Sequence, residues 1–370
     1  MTLIIANADV QQVLDMPTTI AALEEAYQQM ITKEAVCRPR IDIQIPTRDR
    51  DKTYQWGTME GGSVNGYFAI RMKSDIIVQD RAGEVPTEEK YCTRPGLYCG
   101  LIWLFDTNSG APVAILNDGI LQHMRVGADG GIGVKYMARQ DASVIGMLGS
   151  GGMAHAHMQA FTCVRPIRRL QVYSPTKANR ERFGQEMAGK YGIEVQVCDR
   201  PEDVYKGADI VAALTDATEP VLNGNALEDG THVVNIGGSG KPDKETIKRI
   251  DVSLRFGTAP APWGLPEFGT TASRLTYAAM DPATAERRMS PDAKRGPRGV
   301  VAEDRTVFFA DLISGRKPGR SSDRQITYSE RGNLQGAQFW AVAAKVYEAA
   351  KAKGLGREIP TEWLLQDIRD

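Results

Sequence analysis

Cysteine and histidine are scarce, with five Cys and four His in 370 residues. Cys37, Cys92, Cys99, Cys163 and Cys198 are odd in number, scattered and never spaced C-x-x-C. That excludes a disulfide framework and a zinc ribbon and fits reduced thiols. His155 and His157 stand two apart on an expected helix and face different ways, and His123 and His232 are isolated, so no metal site is expected. No apolar run approaches the ~18 residues of a membrane span. The opening Met1–Asp9 lacks the basic and apolar regions of a secretory signal. Neither sign of charge dominates: 45 Lys and Arg stand against 46 Asp and Glu, a net charge of -1. A dedicated nucleic-acid surface or polybasic membrane contact is therefore not expected. There is no Walker loop, no G-x-S-x-G elbow, no internal repeat and no low-complexity tail. Together these absences point to a cytoplasmic protein with neither nucleic-acid nor membrane partners.

What is abundant is glycine, 37 residues in all, which implies many tight turns and backbone approaches to a ligand. The length suits two domains. The first 120 residues read as a helix over 18–34, entered at a Thr cap, followed by strands over 40–45, 67–73, 100–106 and 111–116. The last two flank the turn 107–110 and should pair as a hairpin. After a helix over 121–137, short apolar strands alternate with helices: strands at 144–148, 170–173, 195–197, 210–214 and 232–236, helices at 153–163 and 178–191. Alternation of this kind means an α/β fold with a doubly wound parallel sheet. Residues 257–300, rich in Gly, Pro, Thr and charge, read as a long loop or partly helical insertion with a solvated basic surface at Arg287-Arg288 and 294–298. Residues 336–353 read as a final helix.

The strongest local signal is Gly149-Ser150-Gly151-Gly152-Met153-Ala154, a G-x-G-x-x-A run between a strand and a helix. Gly149 makes the turn, Gly151 lets a pyrophosphate approach, and Ala154 permits close helix–strand packing with the phosphates at the helix N-terminus. An acid at the tip of the second strand would select NAD, but that tip is Ser174-Pro175-Thr176-Lys177, with Arg180 beyond. Lys177 and Arg180 could neutralise a 2′-phosphate, so NADP(H) is favoured and NAD(H) stays open; a solvated helix face is the plain alternative. Arg71 and Lys73, two apart on a strand, share a face and need an anion or acidic partner. Arg125, early in its helix, could grip a carboxylate through two hydrogen bonds.

The order of Arg40, Met124-Arg125-Val126-Gly127-Ala128, Gly149-x-Gly151, Thr215-Asp216-Ala217-Thr218 and Val234-Asn235-Ile236-Gly237-Gly238 resembles the ornithine cyclodeaminase/mu-crystallin family from about residue 15 to 350. The resemblance implies a homodimer of two-part subunits. A Rossmann doubly wound parallel sheet (123–320) is inserted into an α+β substrate-binding and dimerisation domain (1–122 and 321–370). It implies hydride transfer between NAD(P) and the carbon bearing the nitrogen of a small amino or imino acid. Arg40 and Arg125 match the family's carboxylate-binding arginines. The family's strand lysine falls on Arg71, a further substrate-binding candidate, or after a short shift on Lys73, preferred as the proton-handling group. Desolvation beside two arginines should pull Lys73 towards neutrality. Thr215, Thr218, Gly237, Gly238 and Ser239 fall in the cofactor-binding segments. Ser239 replaces the cyclodeaminase aspartate, as in the ketimine reductases. Asp243 is then a substitute acid or a helix cap. Insertions at 80–98 and 257–300 should reshape the pocket. A lyase using catalytic NAD and a non-catalytic NADPH-dependent binder are the rival readings.

Overall fold

The structure is a computed structural model that describes residues 1–82, 85–236, 242–289, 300–330 and 332–368. Gly237, Gly238, Ser239 and the basic run 294–298 lie outside the described residues. Two sheets organise the chain, and both helices and strands are substantial, as the α/β reading expects. After a short helix over Asn7–Val13, the helix expected near residue 18 spans Met16–Thr32 and begins two residues before the expected cap. Asp15 accepts from Thr18 N at 2.8 Å, and Pro17 occupies the first turn, where its missing N–H is harmless. The final helix, Gln335–Ala352, packs on one face of the first sheet, and Met16–Thr32 lies against it and against the strand Ala35–Cys37. Their Leu23, Ala26, Phe339 and Val342 bury against Ala69, Ile102 and Leu104.

That sheet has ten strands. Along its main path lie Arg274–Ala278, Arg40–Pro46, Lys52–Ser63, Tyr67–Ala82, Cys99–Asp106, Pro112–Asn117, Thr2–Ile5 and Arg357–Ile359. Ala35–Cys37 and Val85–Tyr91 pair beside the path. The expected hairpin is present, with Cys99–Asp106 antiparallel to Pro112–Asn117. Two features depart from expectation. The long strand Lys52–Ser63 has no counterpart in the sequence reading, because its polarity is turned inside out: Gln55 and Gly57 face inward while Tyr54 and Trp56 are half-exposed. The stretch 257–300, expected as loop or partly helical, sends Arg274–Ala278 back to the sheet edge, parallel to Arg40–Pro46, and forms the short helix Pro282–Arg288. Likewise the 80–98 insertion is a hairpin: Tyr67–Ala82 runs on past the expected end and turns into Val85–Tyr91.

The second sheet has eight strands, every pair parallel: Glu194–Val197, Arg169–Tyr173, Val144–Leu148, Ile210–Ala213, His232–Asn235, Thr327–Glu330, Val252–Arg255 and Thr306–Phe308. Its central strands are buried, as a sheet covered on both faces requires; Ile210–Ala213 is wholly apolar, whereas His232–Asn235 and Thr327–Glu330 also bury polar side chains. Thr327–Glu330, beyond the expected boundary at 321, inserts between His232–Asn235 and Val252–Arg255. The helix Gly119–Met137 crosses between the sheets and packs along Gly152–Val164. No helix among the described residues is long and apolar enough to cross a membrane.

Candidate active site

The nucleotide half is built of backbone. Val144–Leu148 ends at Gly149, whose φ of +117° suits only glycine; a Cβ there would lie 2.2 Å from the Leu214 carbonyl oxygen. The chain then turns at Gly151, the cap of the helix Gly152–Val164, so Gly152, Met153 and Ala154 lie in its first turn. The first amides of such a helix lack intrahelical acceptors and suit an anion. A Cβ on Gly151 would meet nothing within 4 Å, so the cradle has open space where a diphosphate fits. Ser150 Oγ lies 2.9 Å from Ser174 Oγ, tying this turn to the tip of the second strand.

Several expected cofactor contacts have other work. Arg180 is buried, with Nη1 donating to the Ser174 carbonyl at 3.0 Å and Nη2 to Asp199 at 2.9 Å. Its guanidinium lies over the Tyr173 ring, so it braces the strand tip. Lys177 is exposed and 3.8 Å from Glu181, and Thr176 caps its helix without a side-chain bond. Thr215 Oγ1 accepts from Ala217 N. Thr218 donates both its amide, at 2.9 Å, and its hydroxyl, at 3.1 Å, to the Pro86 carbonyl. With a Thr87–Ala217 bridge beside it, Thr218 fastens the inserted hairpin to the end of the parallel sheet. Asp243 caps its helix. Its carboxylate accepts from Glu245 N, Thr246 N, Thr246 Oγ1 and Gly224 N.

The other half is built of side chains on the inner face of the ten-stranded sheet. The register places Asp42, Gly57, Lys73 and Gly100 in one row, with Asp118 just beyond the next strand. A Cβ on Gly57 would meet Asp42 Oδ1 at 2.6 Å, and one on Gly100 would meet Asp118 Oδ1 at 2.0 Å. Glycine thus makes room for charged side chains on both sides of Lys73. Lys73 is ion-paired with Asp75, its same-face neighbour. The Gln55 amide, turned with its oxygen to the ammonium, accepts from Lys73 Nζ at 2.9 Å and from Arg40 Nη2 at 3.3 Å. Arg40 Nε donates to Asp42 at 2.7 Å, and Arg71 Nε to Asp118 at 2.5 Å. Arg125 is buried, with Nη1 on Gln338 and Nη2 on Gln122, each at 2.7 Å. Arg125 and Arg71 share the Phe339 ring at 4.6 and 5.3 Å, which brings them together beside the row.

Burial is the largest influence on Lys73, lowering it from 10.5 to about 7, with the Arg40 charge helping; Asp75 pulls the other way and loses. Asp42 shows the opposite balance. Burial alone would raise it, but Arg40, Arg274 and Lys73 together hold it below the usual carboxylate range. The structure therefore unites Arg40, Arg71, Lys73 and Arg125, and adds Asp42, Gln55, Asp75, Asp118 and Arg274, which sequence reasoning missed. The signal for Asp42 and Asp75 was present: each stands two residues from a singled-out cation on a strand. Arg274 carried none. Among the described residues no three His, Cys, Asp or Glu side chains gather as metal ligands.

Fold and site define a dinucleotide-binding α/β protein whose ten-stranded sheet carries a row of buried charged side chains. More narrowly, the chain belongs to the ornithine cyclodeaminase/mu-crystallin family, whose model matches residues 97–354. It is 28% identical over 264 residues to a Δ1-pyrroline-2-carboxylate reductase of Bacillus cereus, spanning 70% of this chain and 74% of that one. It is 25% identical over 358 residues to an alanine dehydrogenase of Archaeoglobus fulgidus, spanning 97% and 98%. Among solved structures, the Δ1-pyrroline-2-carboxylate reductase of Thermococcus litoralis, in complex with NADH and L-proline, superposes with a TM-score of 0.71. That match has 22% identity and covers 97% of this chain and all of that one.

Proposed function

We propose that this protein is an NAD(P)-dependent oxidoreductase that moves a hydride between nicotinamide and the imine or amine carbon of a small, carboxylate-bearing amino or imino acid. The observation that carries this reading is Lys73, buried in a row of charged side chains and pulled to about 7. An ammonium so placed can give or take a proton near neutral pH. Arg40 and Arg125 hold the substrate carboxylate, and Arg71, locked to Asp118, shapes the wall between them. Asp75 and Gln55 keep the Lys73 nitrogen in place. Bound at the Gly149–Ala154 turn, the nicotinamide dinucleotide supplies or accepts the hydride. When an imine is reduced, Lys73 gives its proton to the nitrogen; in the reverse direction neutral Lys73 takes one.

For the cofactor, Ser174 in place of an acid and the exposed Lys177 support NADP(H). NAD(H) is the second reading, favoured by Asp199, whose exposed carboxylate sits beside Arg180 at the same edge. We further read the chain as a homodimer of split subunits living in a reducing cytoplasm. The outer face of the ten-stranded sheet supports the dimer: Ile43, Ile45 and Tyr277 are exposed and Trp56, Met72 and Trp103 half-exposed, an apolar face suited to a second copy. All five cysteines are free thiols, which fits that compartment.

The deciding experiment is turnover against a panel of cyclic imines, ketimines and α-amino acids, read at the nicotinamide absorbance with NADH and NADPH. Oxidation or reduction of a carboxylate-bearing member is expected. Ammonia release without net absorbance change would favour the lyase reading, and tight cofactor binding with no turnover the non-catalytic one.

A further inference from the structure

The strand Arg274–Ala278 comes from a stretch that looked like surface insertion, yet its register places Arg274 opposite Arg40 and Thr276 opposite Asp42. Two guanidiniums meet there on one carboxylate. Arg40 Nε holds Asp42 Oδ1 at 2.7 Å, and Arg274 Nη1 approaches Asp42 Oδ2 at 3.3 Å. Asp42 has no exposed surface, while the two arginine side chains keep 14% and 9% of theirs. Glu88, on the inserted hairpin, adds its field on Arg274. Both insertions therefore converge on the arginine read above as a carboxylate holder.

Asp42 can orient Arg40 only if its own carboxylate cannot rotate. One oxygen faces Arg40, and the other is fixed from the far side by Arg274. A guanidinium has a planar donor array that a flexible ammonium does not reproduce. We infer that Arg274 is a positioning residue that acts through Asp42 to set the carboxylate grip of Arg40, making the 257–289 segment a working wall of the substrate pocket. The inference rests on the reading of Arg40 in the proposed function.

The test is calorimetric binding of pyrrole-2-carboxylate, against its uncharged amide, to the protein saturated with NADP+ or NAD+, whichever it is first shown by titration to bind. Wild type should prefer the carboxylate by about tenfold or more. Arg274→Met should lose most of that preference, and Arg274→Lys should recover only part of it. Leu275→Ala, on the opposite face of the same strand, should keep it. With a substrate from the turnover panel, KM should rise in Arg274→Met while kcat holds. If wild type shows no preference for the carboxylate, the reading of Arg40 falls and takes the inference with it. If wild type prefers the carboxylate and Arg274→Met does so equally, the inference alone is overturned, whatever the melting temperature does.

Discussion

The two sheets build their candidate sites by different means. At the parallel sheet the proposed cofactor contacts are main-chain amides on a turn after Leu148, and side chains matter mainly by being absent. At the ten-stranded sheet the proposed substrate groups are the charged side chains of Arg40, Lys73 and Arg125, with Arg274 behind them, which the chain brings together over more than 200 residues. A backbone site is rigid and needs no charge balance, but it tolerates no Cβ at the turn. A side-chain site is tunable, yet each buried charge must be held by another, as Asp75 holds Lys73 and Asp118 holds Arg71. Binding of cofactor and proton handling should therefore be separable by substitution.

The largest expected effect breaks the side-chain half. Lys73→Met should lower kcat by about 10²- to 10⁴-fold, the range for losing a positioned acid–base group, while cofactor affinity, measured by nicotinamide fluorescence, stays within a factor of about two of wild type. Unchanged turnover would remove Lys73 from the mechanism. The wild-type pH profile sharpens the point. With Lys73 titrating at about 7, kcat/KM for imine reduction should fall above that pH and kcat/KM for amine oxidation should rise through it. Lys73→Met should flatten both limbs. The sign for stability follows from the same shift. Between about 7 folded and 10.5 unfolded, the unfolded chain holds the extra proton, so this group's contribution makes the protein more stable as pH rises through that window.

The two halves also differed in how far they could be read before the structure. The Gly149–Ala154 turn is written in consecutive residues, and its strand and helix fall at the expected places, because local periodicity and chain order suffice for a parallel sheet. The acid–base row is a cross-strand object. Arg40, Lys73 and Arg125 were legible through their resemblance to a family pattern, and Asp42 and Asp75 stand two residues from Arg40 and Lys73 on the same strands, but Gln55 and Asp118 matter through register, which no single strand reveals. The inverted polarity of Lys52–Ser63 hid a whole strand, since alternation shows two faces but not which one turns inward. Arg274 was hidden more deeply, as its strand completes a sheet begun over 200 residues earlier. The surroundings of Thr218 and Arg180 were hidden for a related reason: each sits at an expected place, but a group away in sequence engages its polar atoms, while Asp243 makes the helix cap that was one of its two readings.

A smaller effect tests the backbone half. Gly149→Ala puts a Cβ 2.2 Å from the Leu214 carbonyl and forces φ of +117° on a residue that resists it. Strain of about 1–3 kcal/mol is expected. Cofactor affinity should fall by about tenfold or more, because relieving the strain moves the turn that faces the diphosphate. The ionisation of Lys73, followed through the pH dependence of residual turnover at saturating cofactor, should stay near 7. A shifted pH profile would mean that the two halves are coupled more tightly than their separate construction implies.

The smallest effect concerns Asp243, where a catalytic acid and a helix cap predict different outcomes for one substitution. As a cap, Asp243 serves the helix Lys244–Arg249, only six residues long, and also ties it to Gly224. Asp243→Ala should therefore cost about 0.5–2 kcal/mol of stability, and a short helix with a second tether belongs near the upper end. Because its oxygens are occupied by Glu245 N, Thr246 N, Thr246 Oγ1 and Gly224 N, kcat should hold within about twofold at temperatures well below the melting point. Asp243→Asn separates the cases further. An amide oxygen can still cap, so stability should largely return, whereas a proton-transfer role would be abolished as fully as in the alanine variant. Loss of kcat in both variants with an unchanged melting temperature would return Asp243 to the chemistry and leave the six-residue helix without a reason to begin where it does.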